Sequence, residues 1–117
     1  MKLKIMLVAV LAVALTGPAF ANRRDDARAQ VEFGIGVAQK GLWKEAVHRW
    51  EKAVELDSTY AAGWNNLAVG YEQLGRFEDA LKAYQKALEL DPNNNYIRNN
   101  SDLFREIYDR QNRNRRR

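Results

Sequence analysis

Residues 61–94 read AAGWNNLAVGYEQLGRFEDALKAYQKALELDPNN, and residues 27–60 before them read ARAQVEFGIGVAQKGLWKEAVHRWEKAVELDSTY. Sliding the chain by 34 residues lays Gly41 to Asp57 on Gly75 to Asp91, with seven of 17 positions identical. Five more keep their chemistry: Trp43/Phe77, Glu45/Asp79, Val47/Leu81, Trp50/Tyr84 and Val54/Leu88. Upstream, Ala27/Ala61, Phe33/Leu67, Gly34/Ala68, Ile35/Val69, Gly36/Gly70 and Gln39/Gln73 keep the same offset. A period of this length marks a stacked array, in which each unit buries its apolar face only against its neighbours.

Each unit reads as two helices. Over 77–90, Phe77, Ala80, Leu81, Tyr84, Ala87 and Leu88 recur three and four apart, and over 61–74 Trp64, Leu67, Ala68, Tyr71 and Leu74 do the same. Both are amphipathic helix patterns. Gly41 and Gly75 fall just past the first helix of each unit, where a left-handed cap suits glycine. Glu45 and the pair Glu78–Asp79 open the second helices, where carboxylates face the positive end of the helix dipole. Small residues at Gly34, Ala46, Ala53, Ala68, Ala80 and Ala87 let paired helices approach, and Trp50, Trp64 and Tyr84 fill the space between them.

The chain start differs. Lys2 and Lys4 precede an apolar run from Ile5 to Leu15, then Thr16-Gly17-Pro18 and Ala19-Phe20-Ala21. This is the pattern of a secretory signal peptide cut after Ala21; the apolar run is too short for the roughly 20 residues of a membrane-spanning helix. Export to a periplasm is expected, with secretion from the cell as the alternative. The sequence has no cysteine, so disulfides and zinc–thiolate sites are excluded. Its 19 basic and 15 acidic residues give a formal charge of +4, which falls to +2 without Lys2 and Lys4. Five arginines at 110, 113, 115, 116 and 117 supply a basic end to a body that is slightly acidic.

The repeat resembles the tetratricopeptide repeat family. In 61–94, Trp64, Leu67, Ala68, Tyr71, Ala80, Tyr84, Ala87 and Pro92 fall on that family's eight signature positions. In 27–60, Phe33, Gly34, Ala46, Trp50 and Ala53 fit, while Gln30, Val37 and Ser58 replace the first tryptophan, the tyrosine and the proline. A third unit begins at Asn95 and stops, with Arg98, Ser101, Asp102 and Arg105 on its signature positions. It reads as a capping helix, with Ile97, Phe104, Ile107 and Tyr108 turned to the last repeat and Leu103 beside them, and a polar face toward water.

The expected fold is therefore all-α: two antiparallel helix-pair units and a cap in a short right-handed α-solenoid. The expected parts are a signal peptide at 1–21, a lead-in at 22–26, repeat units at 27–60 and 61–94, a capping helix at 95–109 and a disordered basic tail at 110–117.

By resemblance, first helices line a concave groove that holds a peptide or partner protein. The matching positions are Arg28, Val31, Glu32, Ile35 and Gln39 on the first helix, and Asn65, Asn66, Val69, Glu72 and Gln73 on the third. Asn99 and Asn100 come from the cap, with Leu103 next to them. Asn66 is the most specific, since an amide donates and accepts at once and suits an extended backbone. A clamp for a terminal carboxylate is not expected, because Val31, Ile35, Tyr96 and Asn100 stand where its polar ligands belong.

No catalytic, metal or cofactor site is expected. The single histidine, His48, matches Lys82 on an outer face, and Ser58 and Ser101 have no base and orienter to make a nucleophile. The expected role is non-catalytic protein–protein interaction. Two alternatives stand beside it: a self-associating scaffold, since two units and a cap are few for an array, and attachment of Arg110–Arg117 to an anionic surface. Nucleic acid is not expected as a partner of an exported chain.

Overall fold

The computed structural model describes residues 18–117, with side chains from Asn22 onward. Five helices follow in order: α1 Pro18–Ala38, α2 Trp43–Leu56, α3 Ala61–Gln73, α4 Phe77–Leu90 and α5 Asn95–Arg115. The described residues contain no strand. The signal peptide expected at 1–21 lies, apart from the first turn of α1, outside the described residues. No described helix is long and apolar enough to cross a membrane.

The 34-residue offset survives as geometry. α1 packs on α2 and α3 on α4, while α2–α3 and α4–α5 join the pairs, and α1, α3 and α5 also touch in sequence. The turns inside the two pairs are copies. Gly41 and Gly75 have φ of 78° and 74°, a left-handed backbone that only glycine adopts cheaply. Around them, Leu42 N–H donates to the Val37 carbonyl (3.1 Å) and Arg76 N–H to the Tyr71 carbonyl (2.8 Å). Gly41 N–H reaches Ala38 (2.8 Å) and Gly75 N–H reaches Glu72 (3.0 Å). This is the doubled cap that satisfies the last carbonyls of a helix.

The core forms two layers. Ala27, Val31, Ala46, Val47, Trp50, Ala53 and Leu67 close the first, and Ala68, Ala80, Ala83, Tyr84 and Phe104 the second. Trp50 is 2% exposed and donates from Nε1 to the Val31 carbonyl at 3.1 Å. Two glycines make room for it. A Cβ at Gly34 would lie 2.3 Å from Trp50 Nε1, and one at Gly70 would lie 2.9 Å from Trp50 Cζ3. One unit later the bulk is exchanged: the smaller Tyr84 holds the place of Trp50, and Phe104 that of Gly70. Their rings lie 5.5 Å apart, and Phe104 also meets Phe77 at 6.2 Å and Tyr108 at 5.7 Å. That aromatic cluster docks α5.

The first unit has Ser58 where the second has Pro92, and polar contacts hold that turn. Arg24 Nε donates to Asp57 Oδ2, and its terminal nitrogen donates to Thr59 Oγ1 at 2.9 Å. Thr59 N–H and Oγ1–H donate to Asp57 Oδ1 at 2.9 and 2.6 Å. The lead-in residues are thus helical and tie the start of α1 to the α2–α3 turn. Burial alone raises the Asp57 carboxyl, but the Thr59 and Arg24 hydrogen bonds outweigh it and hold its pKa below the usual value. A carboxyl depressed in the folded state contributes stability above its unfolded pKa, lost as pH falls through the folded one. Asp57→Asn is therefore expected to lower the Tm by several degrees at neutral pH and to flatten its fall at acid pH. Thermal melts from neutral to acid pH check both effects.

Two expectations about the C-terminal end need correction. The helix does not stop at Asp109 before a disordered tail; α5 continues to Arg115. Residues 93–117 contain neither glycine nor proline, arginine is a good helix former, and Arg113 and Arg115 sit in the last turn, where cations favour the dipole. Arg110 also donates to Glu106 one turn back at 2.8 Å. Nor is the outer face of the cap wholly polar. Tyr96, Leu103 and Ile107 are 69%, 60% and 40% exposed. Leu103 and Ile107 each precede a residue of the inward stripe, Phe104 and Tyr108, and one residue is 100° of helix rotation.

Candidate functional site

Three first helices, α1, α3 and α5, stand side by side, and the repeat offset sets equivalent residues in rows across them. One row is Ile35, Val69 and Leu103, apolar on every helix. A second is Gln39, Gln73 and Ile107, and a third is Glu32, Asn66 and Asn100.

Between α1 and α3 the rows border an open cavity of about 330 Å³. Ile35, Ala38 and Gln39 form one wall, Asn66 and Val69 the other, and Trp43 and Trp50 of α2 the floor. None of these seven carries a charge. The structure thus brings together four of the expected site residues, Ile35, Gln39, Asn66 and Val69. Sequence reasoning missed Trp43. Its place at the head of α2, beside the Gly41 cap, turns it back over the end of α1. On its far side Gly41, Leu42, Lys44, Glu45 and Leu74 line a second hollow of about 460 Å³, so Trp43 is a wall shared by two apolar depressions. Leu42, half exposed, rims the second one.

Asn66 is partly exposed at the cavity edge. Its Nδ2 donates to the Ala62 carbonyl at 2.8 Å, one turn back on its own helix. This engages one of the amide's donors, and Oδ1 has no hydrogen bond among the described residues. Arg28, Glu32, Gln39, Gln73 and Asn99 are exposed. Of these only Gln39 lines the cavity, and the five make no hydrogen bond with one another among the described residues.

Three expected site residues have other tasks. Val31 and Asn65 are buried, at 4% and 3% exposure, and do not line an accessible groove. They share one repeat position, and a following first helix covers it each time: α3 lies beside α1, and α5 beside α3, where Asn100 Nδ2 donates to Asn65 Oδ1 at 3.3 Å. Asn99 has the same position on α5, where no later helix covers it, and is exposed. Glu72 is only partly exposed and accepts the Tyr84 hydroxyl at 2.5 Å. Burial raises its pKa, and the Tyr84 hydrogen bond only partly offsets this. Its carboxylate satisfies the one polar atom of a buried tyrosine, a packing role.

Phe33, on a signature position of the first unit, is half exposed, with the Arg49 guanidinium 4.3 Å from its ring centre. The cavity can therefore seat an apolar side chain, with amides at its rim for a backbone.

In a comparison with known families, residues 61–94 fit the model described as tetratricopeptide repeat. No curated protein matches the chain.

Proposed function

We propose, from the premise that this chain is a tetratricopeptide repeat protein, that it acts in the cell envelope by holding a peptide segment of a partner protein in the groove between α1 and α3. Repeats of this family mediate protein–protein interaction; the groove and the compartment are our reading. The observation that carries it is the uncharged cavity between Ile35, Trp43 and Val69, rimmed by the Asn66 and Gln39 amides. An apolar side chain leaving water for such a site is worth about 1.5–3 kcal/mol, and the amides pair with peptide groups that would otherwise be left unsatisfied. The charged start, apolar run and small-residue cleavage pattern of residues 1–21 support export.

Val69→Glu tests the reading. A carboxylate facing the cavity must either be desolvated or hold it open, so partner recovery is expected to fall about a hundredfold, equivalent to about 2.7 kcal/mol. Val69 is only partly buried, so far-ultraviolet circular dichroism is expected to stay unchanged. Lys82→Glu, on the exposed side of α4, is expected to leave recovery intact. Equal recovery with Val69→Glu and with the unaltered chain excludes the groove.

A further inference from the structure

We infer that the segment held in the groove is extended, carries apolar residues three apart, and ends in acidic residues that meet the arginines of α5. This deepens the groove reading and rests on it.

The spacing comes from the repeat. Ile35, Val69 and Leu103 occupy one repeat position on three neighbouring helices. Helices packed side by side lie about 8–10 Å apart. A polyproline-type extended chain returns the same face every three residues, about 9 Å, so residues i, i+3 and i+6 meet the three apolar side chains in turn. A β-strand repeats a face about every 7 Å and drifts out of step. A helical ligand has its own backbone groups already bonded and leaves the Asn66, Gln39 and Gln73 amides without work. The amides favour the extended form.

The acidic end comes from charge. α3 has 13 residues and α5 has 21. Tyr108 still packs against the second core layer, and α5 runs seven residues beyond it to Arg115, or about 10 Å. That overhang and the two residues after it hold Arg110, Arg113, Arg115, Arg116 and Arg117, with no acid beyond Asp109. On the helix wheel Arg110 continues the exposed stripe of Tyr96, Leu103 and Ile107, and Arg113 flanks it. The one described acid paired with these cations is Glu106, on Arg110. Leu103 and Arg110 are seven residues apart, about 10 Å of helix, which about three extended residues span. The acids therefore follow about three residues after the last apolar anchor.

Synthetic peptides test this on the chain from residue 22 to 117, titrated by fluorescence anisotropy. The reference peptide carries leucines at i, i+3 and i+6 and a short run of glutamates after a three-residue gap. A second replaces the glutamates by glutamines, and a third moves the leucines to i, i+2 and i+4. The glutamine peptide is expected to bind about tenfold more weakly at low salt, the sum of a few exposed ion pairs, and to lose most of the salt dependence. The combined change Arg110→Gln and Arg113→Gln is expected to weaken the glutamate peptide and leave the glutamine peptide unaffected.

Equal binding of the glutamate and glutamine peptides overturns the acidic end. Equal binding of the i, i+2, i+4 peptide overturns the spacing. Tight binding to phosphatidylglycerol vesicles that displaces the glutamate peptide overturns the peptide assignment in favour of a lipid surface. Failure of the groove reading looks different, because every peptide then binds with the same affinity to Val69→Glu as to the unaltered chain.

Discussion

Trp50→Ala is expected to unfold the first repeat unit at room temperature. The side chain is 2% exposed, and its ring joins all three helices of the first layer. It rises from α2, bonds the Val31 carbonyl on α1 at 3.1 Å, and fits against Gly34 of α1 and Gly70 of α3. Cutting a buried tryptophan to alanine costs about 3–5 kcal/mol. Neither neighbour can fill the hole, because both are glycines. A small domain has only about 5–15 kcal/mol in total, and this one has no disulfide to limit its unfolded state. Urea titration followed at 222 nm is expected to show either loss of cooperative unfolding or a midpoint near zero denaturant. A midpoint close to that of the unaltered chain shows that Trp50 is not the keystone of the first layer.

The second large effect is Gly34→Ala, and its sign depends on Trp50. In an ordinary exposed helix interior, alanine is better than glycine by about 1 kcal/mol. Here the new Cβ would lie 2.3 Å from Trp50 Nε1 and 2.8 Å from Trp50 Cδ1. The indole is held between three helices, so α1 must move away or the ring must leave its pocket and give up the Val31 hydrogen bond. Overpacking of this kind costs about 1–3 kcal/mol. In a Trp50→Leu background, which keeps part of the layer filled, the indole obstruction is absent and Gly34→Ala is expected to become neutral or stabilising. Denaturant midpoints of the two single variants and the double variant give the coupling. Additive midpoints rule out the close approach as the reason for glycine at 34.

The sequence made the helix pairs legible because the pattern was written twice. Apolar spacing and cap glycines at a 34-residue offset located α1 to α4, and the signature of 61–94 located their packing. The burial of site residues was less legible. A repeat position states which way a side chain leaves its helix, and not whether the next helix covers it. Val31, Asn65 and Asn99 share one position, yet only Asn99 lacks a following helix and only Asn99 is exposed. Glu72 has the position of a groove acid, but its carboxylate accepts the buried Tyr84 hydroxyl. Trp43 carried no signature and stands in the site because the Gly41 turn folds it back. The end of α5 is not legible because a run of arginine and asparagine resembles a tail, although nothing in it breaks a helix.

The central claim is that a partner segment enters the groove of first helices, and in-cell photocrosslinking tests it most directly. A benzoylphenylalanine at Gln39, exposed at the cavity rim, is compared with one at His48, exposed on α2. A crosslinked partner is predicted from position 39 and not from position 48, and the product is predicted to vanish when Val69→Glu is added. A partner crosslinked from position 48 alone, or a position-39 product indifferent to Val69→Glu, contradicts the account.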